Sequence, residues 1–430
     1  AGPVRGGWRY YETGVMVAGE PYSASSWYPV NEHPLDKATY TLRITVDAEF
    51  VVGANGVLQD ELTNDDGTVT YIWESADPMA SYLVTLAIGD FEIDRGQSES
   101  GVPVRNYFAV GLPQETIEPF ELQPAMIDYF ETVFGPYPFE VYGSVVHDFP
   151  IGFALETQTL STFGRSFTGE GVVAHELAHQ WFGNSVSLSQ WQDIWLNEGF
   201  ATYSEVLWIE HTQGTAAARA RISALYGNMA RAAAPFTVEK AQLVEVTADL
   251  EEVAALTITR AQIERGFKAL IPSDADPAII DTVLADLPEA SISGADLPDL
   301  IDALPFEETR ITQRHYGEFL EAIGLPELAA TTRVLLGDPG PGNLFNGIVY
   351  QRGALTLHAL RLQIGDETFF DALRTYTDRY YNSNATTDDF IAIAEEISGQ
   401  QLDNLFNQWL YAPALPDIAE LALFAEDYAG

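Results

Sequence analysis

The residues best suited to chemistry lie in one short run, Gly171-Val172-Val173-Ala174-His175-Glu176-Leu177-Ala178-His179-Gln180-Trp181. It contains the pattern H-E-x-x-H. In a helix, four residues turn the chain by about 400°, so His175 and His179 stand one above the other and can share a small cation. Glu176 is rotated by about 100° from His175 and need not be a ligand. It is placed instead to take a proton from water beside the cation, and the chemistry this pattern suggests is metal-assisted hydrolysis.

A third ligand decides more than the pair. The chain has no cysteine, which excludes disulfides and thiolate ligands and leaves His or a carboxylate for that place. Glu198 stands 19 positions after His179 inside Trp195-Leu196-Asn197-Glu198-Gly199-Phe200-Ala201-Thr202-Tyr203. A short connection and a second helix would return it to the histidines. For a lone Glu the plainer reading is a surface residue on an amphipathic helix.

Taken together, His175 to Asn184 and Trp195 to Ala201 resemble the aminopeptidase N family of gluzincins, zinc metallopeptidases that also include the leukotriene hydrolases. The resemblance implies one Zn2+ ion per chain held by His175, His179 and Glu198, with Glu176 as general base and a fourth position open to water. Ile151-Gly152-Phe153-Ala154-Leu155-Glu156-Thr157-Gln158 is similar to the family's Gly-x-Met-Glu-Asn signature, with only the Glu retained and Thr157 in place of the Asn. By that likeness Glu156 binds the substrate's α-ammonium and the product is a single amino acid. Read alone, it is a strand-end carboxylate. Glu20, in the segment running to Trp27-Tyr28-Pro29-Val30-Asn31-Glu32, falls where the family places a second acidic or amide anchor; the alternative is an exposed loop carboxylate. Ile348-Val349-Tyr350-Gln351-Arg352-Gly353-Ala354 is similar to the family's Tyr-Glu-Lys-Gly run. Tyr350 is thereby implied to donate a hydrogen bond to the oxyanion of the tetrahedral intermediate, against the reading of one of 20 tyrosines packing a helix. Phe345 occupies a place where the family often has another tyrosine.

The implied activity is a zinc-dependent aminopeptidase acting on peptides with a free N-terminus. Two alternatives stay open: a gluzincin endopeptidase in which Glu156 and Glu20 capture no amine, and a non-catalytic surface or binding protein on the same scaffold. Intact His175, Glu176, His179, Glu198 and Tyr350 argue against the last. His33, His147, His211, His315 and His358 have no partner at helical spacing and read as packed or surface residues.

Such groups need a large scaffold, and 430 residues with 47% hydrophobic and 12% aromatic content supply several globular parts rather than a disordered acidic chain. The net charge of -42 excludes a nucleic-acid binder and implies a strongly hydrated surface. No window approaches the roughly 18 apolar residues of a membrane helix. The start, Ala1-Gly2-Pro3-Val4-Arg5, lacks a signal core, so any export signal has already gone; the acidic, cysteine-free composition gives the expectation of a soluble secreted protein, with the cytoplasm as the alternative.

The fold expected is α+β and multidomain. From Thr39 to about Val110, alternation at Leu42, Ile44 and Val46 and the turn Asn64-Asp65-Asp66-Gly67 read as antiparallel hairpins. The acidic turn lacks the spaced ligands of a calcium loop. From about Pro113 helices are expected to dominate, starting with Gln114 to Phe134 and stopped by Pro136 and Pro138. Between Tyr226 and Asp338 lies an acidic helix-prone stretch with two Ala-Asp-Leu-Pro copies, at 285–288 and 295–298, and the turn Pro272 to Pro277. The expected division is 1–113 for an N-terminal antiparallel β domain, 114–229 for the first part of a thermolysin-like, mainly α catalytic domain, 230–336 for an inserted helical subdomain limiting access by long peptides, and 337–430 for the second catalytic part. Because only 19 residues precede Glu20, the β domain reads as truncated, with a preceding segment or another polypeptide segment completing it.

Overall fold

A computed structural model describes residues 6–11, 14–149, 151–233, 236–249, 251–270, 291–304, 306–311, 313–326 and 334–428. The chain forms two compact units, Ala1–Ile222 with Val349–Phe406 and Ser223–Ile348 with Asn407–Gly430. Among the described residues no helix is long and apolar enough to cross a membrane.

In the first unit the alternating residues pair as their pattern requires. Strand β3 (Ala38–Asp47) lies antiparallel to β6 (Thr68–Met79), with Leu42 opposite Trp73, Ile44 opposite Tyr71 and Val46 opposite Val69. β5 (Val57–Thr63) joins β6 through the Asn64 to Gly67 turn, where Gly67 has φ of +87° and its N–H donates to the Asn64 carbonyl at 3.0 Å. The residue there must tolerate a left-handed backbone, and glycine does. A second sheet runs β1-β2-β7-β4 (Gly7–Tyr11, Gly14–Ala18, Leu86–Gly89, Val51–Ala54). Val17, Val52, Trp73, Leu86 and Leu160 share one core.

Beyond Pro113 the structure departs from the helical expectation. The helix expected from Gln114 is broken into Gln114–Ile117, a 3-10 turn Glu118–Leu122 and the helix Gln123–Phe134. Three more strands then follow, β10 (Tyr142–His147), β11 (Ala154–Leu155) and β12 (Ser161–Gly164). They extend β8 (Phe91–Gln97) and β9 (Pro103–Ala109) into a five-stranded sheet in which β10 is parallel to both β9 and β12. Every residue of β10 and β12 is buried. Strands covered on both faces lose polar alternation, so nothing in their sequence separates them from helix.

Three helices then assemble the chemistry: a histidine helix (Glu170–Ala178), a glutamate helix (Trp195–Gln213) and a tyrosine helix (Gly347–Ile364). The latter two cross at Gly199 and Gly353, where a Cβ on Gly353 would lie 2.7 Å from the Gly199 Cα. Each glycine stands within one turn of a candidate site residue, Glu198 or Tyr350. Aromatic rings fix the glutamate helix from behind, with Phe200 at 4.7 Å from Phe182 and 5.0 Å from Phe390. Lys37 ties the β region to this assembly, its ammonium donating to the carbonyls of Asn184, Ser185 and Ser383 at 3.1, 2.8 and 3.0 Å.

The second unit has its own core around Ile258, Phe267, Phe319 and Ile323. Its helices alternate with short strands the sequence reading lacked: Phe236–Glu239 pairs with Glu308–Ile311, and Thr257–Thr259 with Ser291–Ser293. Strand runs into helix through a side-chain cap. The amide of Glu239 donates to Gln242 Oε1 at 3.3 Å, and that of Thr259 to Gln262 Oε1 at 3.0 Å. The runs Thr237-Val238-Glu239-Lys240-Ala241-Gln242 and Thr257-Ile258-Thr259-Arg260-Ala261-Gln262 are thus two copies of one strand-cap-helix unit. Of the two Ala-Asp-Leu-Pro copies, 295–298 does open the helix Leu297–Asp302, while 285–288 and the Pro272 to Pro277 turn lie outside the described residues.

Two outcomes are expected. Replacing Gly353 by Ala forces the two helices apart and costs about 1–3 kcal/mol of stability, read by urea titration; wild-type stability would remove the close-approach argument. His147, 2% exposed, is driven by burial down to about 3. Between that value and an unfolded value of about 6.5 the unfolded chain binds one more proton, so stability falls with falling pH. His147→Gln should lessen the loss between about pH 6.5 and 5 by about 1.5 kcal/mol, and an unaltered pH profile would contradict the assignment.

Candidate active site

The histidine helix buries Val173, Ala174, Leu177 and Ala178 in the core and turns His175, Glu176 and His179 to a cavity of about 280 Å³. The rings are oriented by what their Nδ1 atoms meet. His175 Nδ1 lies 3.1 Å from Glu205 Oε1, and His179 Nδ1 lies 3.0 Å from the Phe182 carbonyl. Both acceptors call for a proton on Nδ1, which leaves each Nε2 lone pair free. Those two atoms stand 3.2 and 3.5 Å from Glu198 Oε2. A tetrahedral ion with bonds of about 2.0–2.1 Å separates its ligand atoms by about 3.3 Å, so the two imidazoles and the carboxylate fit zinc in donor type and in spacing. Glu156, Glu176 and His179 also offer atoms within 4.8 Å of one another. The only uncommitted nitrogen of His179 already faces Glu198, so the set with both histidines is the better cradle.

The return of Glu198 depends on Gly183, whose φ is +121°. A Cβ there would lie 3.1 Å from Asn197 Nδ2 and 3.4 Å from His179 Nδ1, a tight fit on a left-handed backbone that any other residue would strain. Burial drives the Glu198 carboxyl up, but His179 and His175 outweigh it and hold the group down at about 2.

All seven residues singled out in the sequence line this cavity: Glu20, Glu156, His175, Glu176, His179, Glu198 and Tyr350. Glu156 follows β11, where Asn184 Nδ2 and Gln180 Nε2 donate to its carbonyl at 2.7 and 3.3 Å. Glu20 reaches the cavity because Gly19 lies against Tyr82, whose carbonyl would be 2.7 Å from an added Cβ. In both carboxylates Oε1 is buried without a hydrogen-bond partner. Burial pushes Glu20 well above the usual carboxylate range, and Glu156, Glu198 and Glu176 push it further. Burial likewise raises Glu156 and Glu176, against the lowering effect of the histidines. Thr157 turns its hydroxyl to the Leu160 carbonyl and to Thr162. The Tyr350 ring stacks on His175 with centroids 6.0 Å apart. Burial and then the surrounding carboxylates hold its phenol far above the usual range, so it remains an O–H donor.

Sequence reasoning missed Glu205, which also lines the cavity, and its partner Arg221 at 2.8 Å. A signal existed for the first: Glu205 is seven residues past Glu198, two turns along one helix face. Nothing in the sequence marks Arg221.

Residues 119–256 and 335–409 match the Peptidase family M1 domain, and residues 11–83 match the Peptidase M1 N-terminal domain. The chain is 25% identical over 406 residues to an aminopeptidase A of Gloydius brevicauda, covering 91% of this chain and 33% of that protein. With the human glutamyl aminopeptidase it shares 32% identity over 215 residues, covering 46% of this chain and 22% of the relative. The chain thus spans about a third or less of the length of these curated relatives. Among solved structures, a mutant M1 zinc metallopeptidase of Deinococcus radiodurans bound to a Tyr-Ser-Ala substrate superimposes with a TM-score of 0.68 at 26% identity, covering 96% of this chain and 73% of that one. The matched domains and the structural likeness lead to one conclusion: the chain belongs to peptidase family M1, the family of zinc metallopeptidases.

Proposed function

We propose that this chain acts as a zinc-dependent aminopeptidase that removes single N-terminal residues from peptides. The observation that carries the reading is the pair of buried carboxylates, Glu20 and Glu156, each with an oxygen lacking a partner, in the cavity that also holds the His175, His179 and Glu198 cradle. Unpartnered buried charge asks for a cation, and an α-ammonium supplies one.

When bound by His175, His179 and Glu198, zinc supplies Lewis acidity and lowers the pKa of water to about 7. Glu20 and Glu156 grip the ammonium and leave room for one residue between it and the scissile carbonyl. Glu176 accepts the proton of the attacking water and returns it to the leaving amine. Tyr350 donates its phenolic hydrogen to the oxyanion of the tetrahedral intermediate. The apolar side of the cavity, Phe153, Phe167 and Val172, receives substrate side chains, and among the described residues no lysine or arginine lines it. Apolar and basic N-terminal residues are therefore preferred to acidic ones. The Deinococcus radiodurans structures bound to Tyr-Ser-Ala, L-tryptophan and L-arginine support this reading, whereas the glutamyl aminopeptidases among the relatives point by name to an acidic residue. The acidic, cysteine-free composition supports a place outside the cell.

The test is a set of peptide substrates with free and acetylated N-termini, with and without a chelator. Chelation should abolish turnover and zinc restore it, acetylation should lower kcat/KM by at least about 100-fold, and Glu176→Gln should lower kcat by about 10²–10⁴-fold with zinc content unchanged. Equal cleavage of acetylated peptides would make the enzyme an endopeptidase; full activity in Glu176→Gln would displace the proposed base. A second outcome concerns stability. With the ion removed by chelator, Glu20→Gln relieves repulsion among buried carboxylates and should stabilise the chain by about 1 kcal/mol, and a destabilised variant would contradict that repulsion; in the zinc-loaded enzyme the same change should raise KM.

A further inference from the structure

We infer that Glu205 and Arg221 form a positioning relay that orients the His175 ring and sets how tightly the metal centre holds its ion. The inference rests on the proposed assignment of His175 as a ligand.

The two histidines are held differently. His179 leans on a neutral acceptor, the Phe182 carbonyl, whereas His175 leans on a carboxylate. That carboxylate is itself gripped from the far side. Glu205 Oε1 meets His175 Nδ1 at 3.1 Å, while Oε2 accepts from Arg221 NH2 at 2.8 Å. Each oxygen of Glu205 therefore has one partner, and the side chain bridges a guanidinium to an imidazole.

A charged acceptor fixes the His175 proton on Nδ1 and makes Nε2 a stronger donor to a metal than a carbonyl-held ring. Arg221 contributes at one remove. By holding Oε2 it stops the carboxylate from rotating off His175, and a guanidinium does this without touching ion or substrate. Its side chain is 37% exposed against 16% for Glu205, so it can be altered with less disturbance of the interior.

The experiment measures zinc affinity of the whole chain by competition with a chromophoric chelator, and the visible spectrum of the cobalt-substituted protein, for wild type, Glu205→Gln, Arg221→Met and the double variant, with His175→Ala as control. The expected result is about 10–100-fold weaker zinc binding in Glu205→Gln, with an altered cobalt spectrum. Arg221→Met should weaken binding by about two- to tenfold alone and add nothing in the Glu205→Gln background, as a relay through one carboxylate requires. Metal-free melting temperatures separate ligand positioning from general loss of structure. Zinc affinity within twofold of wild type in both single variants overturns the relay while leaving the metal assignment intact. Wild type that takes up no zinc, or His175→Ala that binds as well as wild type, overturns both. If Glu205→Gln fails to fold, Arg221→Met decides: weaker zinc binding at unchanged metal-free melting supports the relay, and unchanged binding removes it.

Discussion

Two imidazole nitrogens drawn to one buried carboxylate oxygen, at 3.2 and 3.5 Å, set the terms for the rest of the first unit. Glu20, Glu156 and Glu176 are buried in the same cavity as Glu198. Like charges so gathered oppose folding unless cations or protons compensate them. Burial and mutual repulsion raise Glu20, and the histidines pull Glu198 the other way. The cavity is therefore poised for positive charge from outside the chain, which under the proposed function a divalent ion and a substrate ammonium supply.

Holding such a cluster together needs backbone that can pass unusually close. Gly19 against Tyr82 and the Gly199 to Gly353 crossing each remove a Cβ where one would collide, and Gly183 holds a left-handed backbone close beneath Asn197. Polar clamps do the remainder. Asn184 and Gln180, just past the second histidine, donate back to Glu156, and Asn55 donates to the Gln158 carbonyl at 2.6 Å. Residues remote in sequence are thus fixed by side-chain amides donating to backbone carbonyls rather than by loops free to drift.

The second unit follows another logic. Its strand-cap-helix copies bury Val238 and Leu243 in one and Ile258, Ile263 and Phe267 in the other, and residues 257–334 lie outside the matched M1 domain segments. Its two-residue cap signature, Thr or Glu followed by Gln three places on, is local chemistry that any sequence reading can find.

What the sequence determined by itself is what local spacing determines. Four residues between His175 and His179 put both on one helix face, and alternation at Leu42, Ile44 and Val46 puts them on one side of a strand, because helix and strand periods are fixed by the backbone. The likeness to a known signature extended this to Glu20, Glu156, Glu198 and Tyr350, all of which the fold brings to one cavity. Only the tertiary structure decided what depends on long-range encounter. The strands Tyr142–His147 and Ser161–Gly164 are buried on both faces and so carry no alternation. The Lys37 ammonium finds its carbonyls some 147 and 346 positions away. Arg221 meets Glu205 across two helices. Each of these contacts is set by the path of distant backbone, which no period within a short window encodes.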